Sequence, residues 1–300
     1  MVGLALRIGR YPPALMLEPD ATLLDVLVGM AEKSVRHCVL VSDAGTPLGM
    51  VSARDLVDFL GGRRYRSVVL ERFGGDVYRA LSETKALELS YQPAWIPESS
   101  PIEDVLAKFM ELKMGVLLVL SSDGRVKGLI SERHIANLLA DYEMYVKVKE
   151  VMSTPLITLD PHETVAKALE TMSSRRIRRL PLVSRGILSG ITTIKDVLGF
   201  IGSEESLSRL RRGDWEQVYS TPLQSIAKSP VITVSANEDV GRALGIMKKH
   251  GIGCVVVEDS GLPVGILTER DIITKLPEVK GVELFFDAAR NALYISRVSF

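Results

Sequence analysis

Four stretches of the chain carry apolar residues at i, i+4 and i+7 with polar residues between them. They are Leu23, Leu27, Met30; Ile102, Leu106, Phe109; Val165, Leu169, Met172; and Val240, Leu244, Met247. Such a stripe is the core face of an amphipathic helix, so these positions are read as packing. Shorter apolar runs flank each stripe. Around the fourth they predict strands at Val231 to Val234, Gly253 to Val257 and Val264 to Leu267. The turn Asp259-Ser260-Gly261 joins the last two, its glycine supplying the positive φ of a tight hairpin. A second helix is expected from Thr268, whose hydroxyl suits an N-cap, with Asp271 completing a capping-box-like pattern. Each copy thus reads strand, helix, strand, turn, strand, helix.

Other positions repeat in step. Gly49-Met50-Val51-Ser52-Ala53-Arg54-Asp55, Gly190-Ile191-Thr192-Thr193-Ile194-Lys195-Asp196 and Gly265-Ile266-Leu267-Thr268-Glu269-Arg270-Asp271 share glycine, hydroxyl and acid. Gly128-Leu129-Ile130-Ser131-Glu132-Arg133-His134 matches except that histidine replaces the acid. Gly45, Gly124, Gly186 and Gly261 precede them at one spacing, and Pro13, Pro93, Pro155 and Pro230 keep the same ladder within one residue. Self-similarity of this kind marks a repeat architecture.

A unit this small cannot bury both faces of its sheet alone, so two units must pack together. The expected domains are repeat 1 over 1–62, a linker and repeat 2 over 63–142, repeat 3 over 145–202, and a linker and repeat 4 over 203–276. This makes two pairs, 1–142 and 145–276. The stretch from Gly61 to Glu88 reads as a loop followed by helical turns. The tail 277–300 alternates (Leu293, Ile295, Val298 against Tyr294, Ser296, Ser299) and reads as a possible hairpin. The start also alternates (Val2, Leu4, Leu6, Ile8), and one or both termini are expected to add strands to a sheet edge or a partner chain.

Composition narrows the class. The 37 basic and 37 acidic side chains cancel, which argues against nucleic acid or an anionic membrane as the main partner. The longest apolar runs, such as Val116 to Leu120, fall far short of the roughly 20 residues of a membrane helix. The stretch Met1 to Arg10 lacks the apolar core of a signal peptide. A soluble cytoplasmic protein is expected. Cys38 and Cys254 sit inside apolar runs and read as small buried hydrophobes.

The succession of Ser/Thr-Pro opener, helix, two strands and Gly-hydrophobic-x-Ser/Thr-x-x-Asp resembles the cystathionine β-synthase (CBS) domain. The likeness spans roughly Pro12 to Leu276, in four tandem copies. It implies an α/β (α+β) fold of four CBS repeats, each a three-stranded sheet with two helices, packed as two pseudo-symmetric tandem pairs (Bateman modules). It also implies binding of AMP, ADP, ATP or S-adenosylmethionine in clefts between paired repeats. Carried over, the ribose- and phosphate-contacting residues are Ser52 and Asp55, Thr193 and Asp196, and Thr268 and Asp271. His134 breaks the pattern in repeat 2. Arg54, Arg133, Lys195 and Arg270 suit phosphate or, equally, a solvated helix face. The opener stands as Thr154-Pro155-Leu156-Ile157 and Ser229-Pro230-Val231-Ile232, with Ile157 and Ile232 at the adenine edge. Trp95, counted to the place of Ile157, reads as core filler, with base stacking as the alternative. Arg178 and Arg179 are candidates to grip phosphate, or part of a surface charge run. The second pair, with both acids and both openers, is expected to bind better.

No catalytic constellation is evident: no His-Glu-x-x-His, no Gly-x-Ser-x-Gly elbow and no P-loop. The expected protein is a non-catalytic nucleotide sensor, a homodimer or bound to a regulated partner, with no required cofactor and no metal. Two rivals are a nucleic-acid regulator using Arg209, Arg211 and Arg212, and a structural subunit with degenerate sites.

Overall fold

The computed structural model describes residues 8–298. All four predicted stripes lie on helices: Leu23–Lys33, Ile102–Leu112, Val165–Arg175 and Val240–Lys249, here termed core helices. Every stripe residue is buried. Three of these helices carry a side-chain N-cap (Thr22, Thr164 and Asp239). Shorter cap helices follow each motif: Ala53–Gly61, Glu132–Leu138, Ile194–Ile201 and Glu269–Thr274.

The sheets repeat as well. Met16–Leu17, His37–Val41 and Pro47–Ser52 form one, and Trp95–Pro97, Val116–Leu120 and Val126–Ser131 form another. In the fourth repeat the strands are Thr233–Ser235, Cys254–Asp259 and Leu262–Thr268. The first strand runs parallel to the second, and the second antiparallel to the third. Repeat 3 keeps only Arg179–Ser184 and Ile187–Thr193, its opening strand reduced to a bridge between Leu159 and Leu182. Two-residue turns close the later hairpins, with positive φ at both central residues: Arg185 and Gly186, then Ser260 and Gly261. That is the turn geometry matched to strand twist.

The chain divides into two compact units that cut across sequence order. One holds Pro13–Gln92 and Ile157–Val231, so it joins the bodies of repeats 1 and 3. Within it, cap helix Ala53–Gly61 packs on core helix Val165–Arg175, and core helix Leu23–Lys33 packs on cap helix Ile194–Ile201. A single apolar core runs through both bodies, from Leu23, Leu27 and Phe59 to Leu169, Val197 and Leu198. The segment read as loop and helical turns holds a π-helical turn, Tyr65–Leu70, and helix Val77–Glu83. Tyr219 closes this core by donating its hydroxyl to Leu60 O at 2.6 Å. Cys38 lies here, its thiol pushed up to about 12 by burial, as expected of an inert buried cysteine.

The other unit holds Pro93–Leu156 with the described residues from Ile232 onward and up to Pro12, so it joins repeats 2 and 4. Cap helices Glu132–Leu138 and Glu269–Thr274 pack on each other, and core helix Ile102–Leu112 packs on Glu269–Thr274. The hairpin expected in the tail is instead one long helix, Val282–Val298. Phe285, Ala288, Ala289 and Ala292 recur at helical spacing and are buried, which outweighs a short polar-apolar alternation at the end. At the other terminus, Val2, Leu4 and Leu6 lie outside the described residues, whereas Ile8 is buried in this unit's core.

Phe285 is fully buried, and removing such a ring from a packed core costs about 3–5 kcal/mol. Phe285→Ala should lower the free energy of urea unfolding by that amount. An unchanged midpoint and slope would mean that the terminal helix does not belong to the folded core.

Candidate functional site

The third strand of each repeat has an outer edge whose backbone groups need partners. A short strap fills it, pairing with the residue just after the motif glycine. Tyr91 pairs with Met50, Arg10 with Leu129, Lys228 with Ile191 and Ser153 with Ile266. Each pair exchanges two backbone hydrogen bonds of 2.8–3.0 Å. Each strap comes from the repeat's neighbour in sequence: repeats 1 and 2 exchange straps, and so do repeats 3 and 4. The close approach explains the motif glycine. A Cβ on Gly265 would sit 3.0 Å from Ser153 O, and one on Gly49 would sit 2.4 Å from Ser90 Oγ.

Each strap residue stands two positions before a proline: Pro93, Pro12, Pro230 and Pro155. The proline in register for repeat 1 is therefore Pro12 rather than Pro13. Trp95 also shifts from its counted place. It pairs with Leu118, and Thr233 pairs with the equivalent Val256, so Trp95 is level with Thr233 and not with Ile232 or Ile157. It is 52% exposed, which corrects its reading as core filler. Ile157 and Ile232 are partly buried, each packed against its own unit's core.

The motif hydroxyl and acid meet directly. In repeat 1 the Ser52 amide and hydroxyl both donate to Asp55 Oδ2, at 2.8 and 2.7 Å. Thr193 does the same to Asp196 Oδ2, at 2.8 and 2.6 Å. Thr268 does so to Asp271 Oδ2, at 2.9 and 2.6 Å. One carboxylate oxygen is thus used to cap the helix, leaving Oδ1 for other partners. In repeat 2, His134 Nδ1 takes the acid's place, accepting from the Ser131 amide at 3.0 Å. A ring nitrogen that accepts leaves Nε2 to carry the proton of the neutral imidazole.

The straps distinguish the three acids. Lys228 Nζ lies 3.1 Å from Asp196 Oδ1. Ser153 donates to Asp271 Oδ1 at 2.8 Å, and Lys275, one helical turn beyond the acid, contacts the same oxygen at 2.8 Å. Tyr91 stands in the equivalent place beside Asp55, its hydroxyl 3.2 Å from Met50 Sδ. Burial pushes Asp55 above the ordinary aspartate range, against the Ser52 hydrogen bonds and the Arg64 charge. Burial also raises the Tyr91 phenol, with the Asp55 charge adding to it.

The cations before each acid have other partners. Arg270 donates to Lys113 O at 2.9 Å and lies 3.7 Å from Glu132. Arg133 pairs with Glu269 at 2.6 Å. Lys195 donates to Ser34 O and Oγ at 3.3 and 3.0 Å, closing the end of the repeat 1 core helix. The buried Arg179 opens its strand and pairs with Thr193, while Arg178 accepts the Ile194 amide through its carbonyl. Thr154 and Pro155 fall in the unit of Asp271, with Thr154 Oγ1 donating to Val264 O at 3.3 Å. Ser229 falls in the unit of Asp196, beside Lys228. Arg54 lies in the unit of Asp55, on the cap helix between Ser52 and that acid. Sequence reasoning missed Tyr91, Lys228, Ser153 and Arg10. Their signal was the constant distance to proline. It also missed Lys275, whose signal was i, i+4 spacing from Asp271.

The model of the CBS domain matches residues 8–62, 86–141, 148–203 and 223–278. A 33.4 kDa protein in a ribosomal RNA operon of Thermofilum pendens is 49% identical over 295 residues, covering 98% of each chain. The crystal structure of MJ1225 from Methanocaldococcus jannaschii, a protein proposed as an archaeal homologue of γ-AMPK, superposes with a TM-score of 0.80. It is 24% identical and covers 89% of this chain and 98% of that one. A conserved protein from Pyrococcus horikoshii reaches 0.55 at 16% identity, over 90% of this chain and 97% of that one. The two structures share the fold. Among the described residues no helix is long and apolar enough to cross a membrane.

The raised Asp55 sets a pH dependence. Folding favours its protonated form. That stabilisation is full below the unfolded aspartate value of about 3.9 and is lost as pH rises through the higher folded value. Wild-type protein should therefore lose stability relative to Asp55→Asn over this window, read from urea unfolding at stepped pH. Parallel stability curves for the two proteins would contradict it.

Proposed function

Since the chain belongs to the CBS-domain family, we propose that it is a non-catalytic regulatory protein that senses adenosine nucleotides at the helix-cap acids Asp196 and Asp55. The observation that carries this is the Thr193–Asp196 cap. Its carboxylate side chain is 8% exposed and its Oδ2 is fixed by two local donors. Oδ1 is left to a single exposed lysine. A carboxylate oxygen so held is a preorganised acceptor for the vicinal hydroxyls of ribose, and charge assistance strengthens such bonds. Asp55 has the same local geometry with a tyrosine beside it. Occupancy would report nucleotide level by shifting the protein between states with different affinity for the ligand. The readout is contact with a regulated protein partner or a second copy of the chain, in the cytoplasm.

The resemblance set out above includes S-adenosylmethionine as an alternative ligand. Titration calorimetry with AMP, ATP and S-adenosylmethionine separates the readings. The expected result is binding of AMP or ATP, weakened by about 1.5–3 kcal/mol in Asp196→Ala, the usual worth of hydrogen bonds to a charged group. Binding of S-adenosylmethionine alone would reassign the ligand. Absence of binding by all three would leave a structural subunit as the better reading.

A further inference from the structure

The donors around the acids are unevenly distributed. A carboxylate offers about four lone-pair sites. Asp271 has all four filled: Thr268 N and Oγ1 on Oδ2, and Ser153 Oγ and Lys275 Nζ on Oδ1. Lys275 is itself fully engaged, since its ammonium also donates to Met152 O at 2.9 Å and Ser153 Oγ at 2.8 Å. This cluster staples the strap 152–154 to the fourth cap helix, and it offers an incoming hydroxyl no vacant acceptor.

Asp196 differs. Its Oδ1 meets Lys228 Nζ at 3.1 Å, and the Lys228 side chain is 68% exposed while the acid is 8% exposed. An ion pair with one arm in solvent adds little to folding, so the lysine is free to exchange partners. Its backbone is nevertheless fixed, by the two hydrogen bonds with Ile191. A lysine on a fixed backbone pivots a compact charge through the reach of a flexible four-carbon stem.

We infer that Lys228 makes the Asp196 cap selective for phosphate-bearing adenosine ligands, while Asp271 is a structural staple and reads no ligand. This rests on the nucleotide-sensing reading proposed above. When a ribose diol takes Asp196 Oδ1, the ammonium is released next to the ligand and needs an anion. A phosphate on the 5′ carbon supplies one. Adenosine supplies none, and the sulfonium of S-adenosylmethionine carries the wrong sign.

The test is calorimetric titration of AMP and adenosine into the full chain, wild type and variants. Wild-type protein should prefer AMP. Lys228→Met should lower AMP affinity by about tenfold or more and leave adenosine within about twofold, so the preference collapses, whereas Lys228→Arg keeps it. Lys275→Met should lower thermal stability and leave the AMP-to-adenosine ratio of the still-folded protein unchanged. Binding of both ligands with a ratio unaltered by Lys228→Met overturns this inference alone. A ratio that collapses in Lys275→Met instead also overturns it. Wild-type protein that binds neither ligand overturns both this inference and the sensing function.

Discussion

The edge of the third strand in each repeat is the constraint from which the rest follows. Its backbone donors and acceptors face no strand of the same repeat, and an unpaired edge is costly when buried and prone to aggregation when exposed. The solution is a single bridge, used four times, in which a residue two before a proline pairs with the residue after a glycine. Because each strap is drawn from the next or the preceding repeat, the chain is obliged to pass from one compact unit to the other at Pro12, Gln92, Leu156 and Val231. The exchange ties repeat 1 to 2 and repeat 3 to 4 through backbone, while the helical cores tie 1 to 3 and 2 to 4 through side chains. Two different kinds of pairing therefore share one set of four repeats.

The same bridge decides what stands beside each cap acid. A strap side chain at the bridged position projects along the row that leads to the motif residue two further on, since alternate residues of a strand share a face. Lysine at this place in repeat 3 gives an acid with an exposed counter-charge. Serine in repeat 4 lets a helix lysine complete a closed cluster. Tyrosine in repeat 1 leaves the acid with desolvation as the leading influence on its ionisation. Repeat 2 changes the motif residue itself, and arginine occupies its strap. The same strap bridge thus carries four different electrostatic settings, three of them set by side chains that lie outside the motif.

Much of this was legible in the sequence, because the stripes and the glycine ladder are local signals. The core positions Leu27, Leu106, Leu169 and Leu244 were readable from helical period alone, and Thr268 with Asp271 from cap spacing. Less legible was anything set by long-range register. Trp95 counts to the place of Ile157, but strand pairing moves it one residue along and onto the opposite face. Pro13 fits the ladder better than Pro12 by number, yet the bridge at Arg10 selects Pro12. The tail failed for a different reason. Four residues of alternation, Leu293 to Ser296, resemble a strand, but alanines at 288, 289 and 292 present a small flat face that a helix buries at low entropic cost. Lys228 and Ser153 escaped as site residues because their partners lie far along the chain, which leaves the constant distance to proline as their local signal.

The cations before each acid show how the two units keep their repeats apart. In the unit of repeats 2 and 4, Glu132 and Glu269 are buried, and each faces the arginine of the other's cap helix. At the same positions in the unit of repeats 1 and 3 stand Ala53 and Ile194, both apolar. Buried ion pairs add little net stability, since desolvation offsets the attraction, but a buried carboxylate deprived of its partner is costly. Docking the cap helix of repeat 2 on that of repeat 1 or 3 would bring Glu132 to Arg54 or Lys195, but it would leave Arg133 opposite Ala53 or Ile194 with no carboxylate to meet it. The matched partners thus form two ion pairs where a wrong partnership forms one and strands an arginine, much as a polar residue in a coiled-coil seam selects its partner. The arginines that suit phosphate by sequence are engaged in choosing which repeats share a core.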